Sequence, residues 1–135
     1  MHHLAQVYKT YINAVSDENM RKFLRMMLEQ KDAMTRLVEE NARQLDEVSG
    51  PLELLEEHIK KIRDGQYEPA KFSSLAKAEF LSILLEYEVA AEDFYKTCLE
   101  QCRSRESEDL LQSLVDNAKK QAALLRDRYE LEQLL

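Results

Sequence analysis

Glu88 is the residue of this chain best placed to do chemistry. It stands inside an apolar series at three-four spacing, Leu81, Leu84, Glu88, Ala91, Tyr95, Cys98 and Cys102. A helix carrying that series turns the carboxylate toward a core instead of toward water. Glu92 follows one helical turn later, and Tyr95 stands seven residues after Glu88. Tyr8, Tyr11 and Tyr95 can surround Glu88, although aromatic residues at helical spacing usually belong to a core. The plainer expectation is a core carboxylate satisfied by Lys120 or by a tyrosine hydroxyl, because an unpaired buried charge is costly.

Other reactive side chains are sparse. Cys98 and Cys102 share a helix face but point poorly for a mutual disulfide. They are expected to be two small core side chains, with a redox pair or a soft-metal site as the alternative. His58 lies beside Leu55 and Ile62 and reads as a boundary residue, and His2 and His3 receive no role. There is no Gly-rich phosphate loop, nucleophile triad or zinc-spaced Cys/His set.

The elements that must position these groups are helices. All four Gly and Pro residues (Gly50, Pro51, Gly65 and Pro69) fall between positions 50 and 69, and good helix formers dominate on both sides. The first half carries Leu4, Tyr8, Tyr11, Ile12 and Val15 on one face, then the cap signal Ser16-Asp17-Glu18. A second series follows: Met20, Phe23, Leu24, Met27, Met34, Leu37, Val38, Asn41 and Leu45. Beyond the connector, Ser73 or Ser74 is expected to cap the helix of Glu88. A last helix carries Leu110, Leu111, Leu114, Val115, Ala118, Ala122, Leu125 and Tyr129. The spacing predicts helices over about 3–15, 17–47, 73–103 and 105–133, with a short connector helix over about 52–64.

The two halves repeat one another. Sliding the sequence by 87 residues sets Tyr8-Lys9-Thr10 on Tyr95-Lys96-Thr97, and Phe23-Leu24 on Leu110-Leu111. Met27-Leu28 meets Leu114-Val115, and Leu37-Val38 meets Leu124-Leu125, all on one diagonal without a gap. One ungapped diagonal that crosses a helix and its turn implies a duplicated helical hairpin. The expected fold is all-α: hairpin 1–49, crossover 50–72 and hairpin 73–135, in one domain over residues 1–135. A crossover of that length can travel back along the bundle and leave the second and third helices parallel.

Composition bounds the function classes. Charged residues make up 33% and apolar residues 44%, a balance that supports a folded core. The net charge of −7, with acids and bases interleaved, excludes the basic stripe that nucleic acid requires and disfavours an anionic membrane surface. No apolar run reaches the length of a membrane span and no signal peptide is visible, so a cytoplasmic location is expected, consistent with free thiols.

On this plan the chain resembles the rubrerythrin branch of the ferritin-like superfamily, a four-helix bundle with a long crossover. The resemblance implies a Glu seven residues before a Tyr on the first and third helices, and Glu-x-x-His on the second and fourth. These hold two irons and support oxidation or peroxide reduction. Glu88 and Tyr95 match the pattern. Tyr8 matches too, but Met1 stands at the carboxylate position. Anchored on Leu37 and Leu124, the remaining ligand positions fall on Gln30 and Ala33, and on Asn117 and Lys120. A carboxylate, two amides and an ammonium do not balance iron charge. The expectation is therefore a bundle that has lost its di-iron centre, with no cofactor and no catalytic residue. It would act as a structural or interaction module, as a homodimer or with another protein. The alternative is a metal-binding oxidoreductase that holds iron through Glu88 and Glu92. A helical adaptor unrelated to ferritins would instead have antiparallel second and third helices.

Overall fold

The structure, a computed structural model, describes residues 2–41, 75–102 and 104–135. They form four helices: α1 (His2–Ala14), α2 (Glu18–Glu40), α3 (Lys77–Gln101) and α4 (Arg105–Leu134). The expected connector helix, with His58, lies outside the described residues, as do Ser73 and Ser74 and the far end of the predicted second helix.

Each hairpin turn is made by a side-chain cap. Asp17 accepts hydrogen bonds from the Asn19 and Met20 amides at the start of α2, and Ser104 accepts from the Ser107 amide at the start of α4. Both satisfy amides that the first helical turn leaves without a partner. The caps are 87 residues apart, and so are the preceding helix ends, Ala14 and Gln101. The offset found in the side-chain pattern is thus also the offset of the backbone turns.

Two ends differ from expectation. α2 ends at Glu40 instead of near 47, with Asn41 at the C-cap donating its side-chain amide to the Leu37 carbonyl at 2.8 Å. α3 begins at Lys77 behind Ala76, which offers no side-chain cap. Tertiary contacts hold this end instead. The Tyr11 hydroxyl donates to the Leu75 carbonyl at 3.0 Å, and Lys77 Nζ lies 2.8 Å from Asp17 and 3.5 Å from Glu132.

The core is a single apolar cluster to which all four helices contribute. Tyr8, Tyr11 and Ile12 come from α1 and Met20, Leu24 and Met27 from α2. Leu81, Leu84, Ala91, Tyr95 and Cys98 come from α3, and Leu111, Leu114, Ala118 and Leu125 from α4. Tyr11 stacks on Phe80 with ring centroids 3.9 Å apart, which seats α1 on the beginning of α3. Each fully buried Leu or Met contributes about 1.5–3 kcal/mol relative to exposure.

Cross-helix contacts define the topology. Asp17 meets Lys77, and farther along both helices Lys31 meets Glu88, so α2 and α3 run parallel. Arg128 lies over the Phe23 ring at 5.6 Å, and Gln121 bonds to Gln30, so α4 descends as α2 ascends. The chain leaves α2 at one end of the bundle and re-enters α3 at the other. This is an all-α four-helix bundle of ferritin-like plan, two antiparallel hairpins joined by one long crossover.

Candidate functional site

Glu88 holds the ion pair that joins the hairpins inside the bundle. Its side chain is 1% exposed, on the face of α3 that α2 covers. Lys31 Nζ stands 2.5 Å from one carboxylate oxygen and 2.6 Å from the other. Burial pushes the Glu88 carboxyl above its ordinary range, and the Lys31 ammonium opposes that push. Tyr8, from α1, is fully buried near enough to Glu88 for the carboxylate to act on its phenol. Desolvation first and that negative charge second hold the phenol well above its usual pKa. Its hydroxyl has no hydrogen-bond partner among the described residues.

From α4, the buried Gln121 donates Nε2 to Gln30 Oε1, and its own Oε1 is likewise unpartnered among the described residues. Lys31 directly follows Gln30 on α2, so both pairs start from adjacent residues of that helix. All four helices thus bring a polar side chain to the interior: Tyr8, Gln30 with Lys31, Glu88 and Gln121.

The pairing corrects the expectation that Lys120 neutralises Glu88. Lys120 is exposed, as is Ala33, while Asn117 and Gln30 are half-buried. On α2, Gln30, Lys31, Met34, Leu37 and Val38 are all half-buried beyond the buried Met27, whereas the buried positions of α4 include Leu114, Ala118, Gln121 and Leu125. The anchors Leu37 and Leu124 are only half-buried, whereas Leu125 is completely covered. One residue of register rotates a helical position by about 100°, enough to carry Ala33 and Lys120 to the outside.

Of the remaining expected residues, Tyr95 is buried and Tyr11 is turned toward the Leu75 carbonyl. Glu92 is half-buried and pairs with Lys96 at 3.6 Å along its own helix, apart from the Lys31–Glu88 pair. Met1 lies outside the described residues. Lys31 and Gln121 were missed by sequence reasoning, although a signal existed. The apolar series on α2 skips from Met27 to Met34, and the residue that fills this gap at four-three spacing is Lys31.

Cys98 is buried, with its thiol raised in pKa by desolvation and secondarily by Cys102. Cys102 is half-buried and donates Sγ–H to the Leu99 carbonyl at 3.2 Å. The buried thiol suits a core side chain better than a nucleophile.

The two irons that the ferritin-like resemblance implies do not fit these residues. Apart from Glu132, whose carboxylate is taken up by Lys77 and Arg128, the described interior offers the Glu88 carboxylate, two amides and a phenol, with an ammonium already against Glu88. Among the described residues, no three His, Cys, Asp or Glu side chains are grouped to hold a metal ion. No described helix is long and apolar enough to cross a membrane.

The fold and this interior define the class: an all-α four-helix bundle with a buried ion pair between its hairpins. No protein-family model, curated protein or solved structure matches the chain.

Proposed function

We propose that this chain is a ferritin-like bundle related to the rubrerythrins in which an internal ion pair has replaced the di-iron centre. It serves as a non-catalytic structural or protein-interaction module of the cytoplasm, working as a homodimer or with another protein. The Lys31–Glu88 pair carries this reading. A lysine ammonium supplies inside the bundle the positive charge that iron supplies in the family. The vestigial ligand positions are Gln30 and Ala33 on α2, and Asn117 and Lys120 on α4, beside Glu88 on α3. None of these four replacements is a carboxylate or an imidazole.

The test is metal analysis of protein purified aerobically, together with a melting experiment under anaerobic Fe²⁺. No stoichiometric iron or manganese, no ferroxidase activity and an unchanged melting temperature are expected, because tight binding to the folded state would raise that temperature. A rise that survives deletion of His2 and His3 but vanishes in Glu88→Gln would replace this reading with the oxidoreductase one. Light scattering on the same sample reports whether the chain is a dimer.

A further inference from the structure

We propose that the Lys31–Glu88 pair decides which hairpins pack together: it makes the first hairpin take the second as its partner and keeps like hairpins of two chains apart. The 87-residue offset creates the need for such a choice. Leu24 and Leu111, Met27 and Leu114, and Tyr8 and Tyr95 stand at equivalent positions, and all six are buried. An apolar stripe shared in this way fits a second copy of its own hairpin about as well as the unlike one.

The polar contacts between the hairpins do not follow the offset. Lys31 pairs with Glu88, Gln121 donates to Gln30, and Arg128 covers Phe23. Shifted by 87 residues, these become Ala118 with Met1, Met34 with Asn117, and Asn41 with Leu110. None of the three repeats the ion pair, the amide bond or the contact of a cation with a ring.

The charges therefore tell the hairpins apart. Two first hairpins set together would bring each Lys31 to the position of the other copy's Met1. Two second hairpins would bring each Glu88 to that of the other copy's Ala118. Either combination encloses two charges without partners, which is strongly destabilising. Only unlike hairpins join the ammonium to the carboxylate, and the covalent crossover gives the chain's own hairpins the higher effective concentration. A single polar group in the core of a coiled coil selects register and partner in the same way. The inference concerns pairing inside the bundle, so it holds whether or not closed bundles dimerise and whether or not they bind iron.

The test is refolding of the full chain from urea at rising protein concentration, followed by size exclusion with light scattering at one common concentration. The parent should return the same single species throughout. Lys31→Met with Glu88→Leu keeps the core filled and removes the distinction. A species of larger mass should then appear, with a share that rises several-fold across the series. Within it, chains that also carry Gln30→Cys should form a disulfide with chains that carry Met34→Cys, because first hairpins set together bring these two positions into contact. The same two cysteine variants with the ion pair intact should not cross-link.

Lys31→Glu with Glu88→Lys retains an opposite pair between unlike hairpins and should refold as the parent does, although it is the harsher change to the core. That order separates choice of partner from stability alone. If the reversed pair does not fold, Lys31→Arg takes its place as the variant that keeps the charge. A single species from the neutral variant at every concentration, a larger species without that disulfide, or cross-linking with the ion pair intact each overturns the proposal. So does association of the charge-retaining variant to the same extent as the neutral one.

Discussion

Lys31 and Glu88 join two helices that never meet in a hairpin: the ammonium on α2 lies within 2.6 Å of both carboxylate oxygens on the parallel helix α3. The pair ties the first hairpin to the second near the middle of both helices. Its side chains are 12% and 1% exposed, so water does little to screen it.

Removing one partner strands the other charge. Lys31→Ala should cost about 3–5 kcal/mol in urea unfolding at neutral pH, whereas Lys31→Met with Glu88→Leu should be close to neutral. Lys120→Ala, on the outer face, should stay within about 0.5 kcal/mol of the parent. A large loss for Lys120→Ala beside a small one for Lys31→Ala would reverse the assignment of the ammonium.

Acid should favour the folded state through Glu88. Burial raises its folded-state pKa above the ordinary 4.5, so the folded protein holds this proton more tightly than the unfolded chain. The resulting contribution is fully present below the unfolded value and is lost as pH rises through the folded one. The stability of the parent relative to Glu88→Gln should therefore fall as pH is raised from about 4 toward 7. A difference that grows with pH would mean that the ammonium outweighs burial.

The ion pair at the open end of the bundle behaves oppositely in acid. Asp17 is held below its ordinary pKa, chiefly by the hydrogen bond from Lys77, and Lys77 is held above its own by the same bond. The Asp17 contribution is present above 3.8 and lost as pH falls through the lowered value. That of Lys77 is present below 10.5 and lost as pH rises through the raised one. Both groups face solvent, so added salt should weaken the pair. Asp17→Asn should keep the cap and remove most of the salt sensitivity of the melting temperature; an unchanged salt slope would place that sensitivity elsewhere.

The two caps should be interchangeable. Ser104→Ala removes the acceptor for the Ser107 amide and should cost about 1 kcal/mol. Ser104→Asp installs the residue that caps α2 at the equivalent position and should retain parent stability in thermal melts. Equal losses for both variants would show that the Ser104–Ser107 hydroxyl contact, not the cap, holds the turn.

The thiols should react in order. Cys102 is half-buried and Cys98 is covered by the core, so a thiol reagent should label Cys102 in the native protein and Cys98 only on unfolding. Peptide mapping after timed labelling separates them. Equal native rates would mean that α3 frays through its last turns.

The sequence by itself determined the hairpins, the 87-residue offset of both turns and the burial of Glu88. Each is a local property: a three-four apolar series chooses the buried face, and a side-chain acceptor at Asp17 or Ser104 starts the helix. The parallel course of α2 and α3 was also legible, from the length of the crossover. The partner of Glu88 was not, nor was the inward register of α4. Both depend on which residue of one helix meets which residue of another, and apolar neighbours on a broad stripe leave two adjacent registers about equally plausible. Only packing of α2 against α3 and α4 decided between them, by enclosing Lys31 and Gln121 and leaving Ala33 and Lys120 in water. Because neighbouring helical positions differ by about 100°, that choice of one residue determined which charge the core contains.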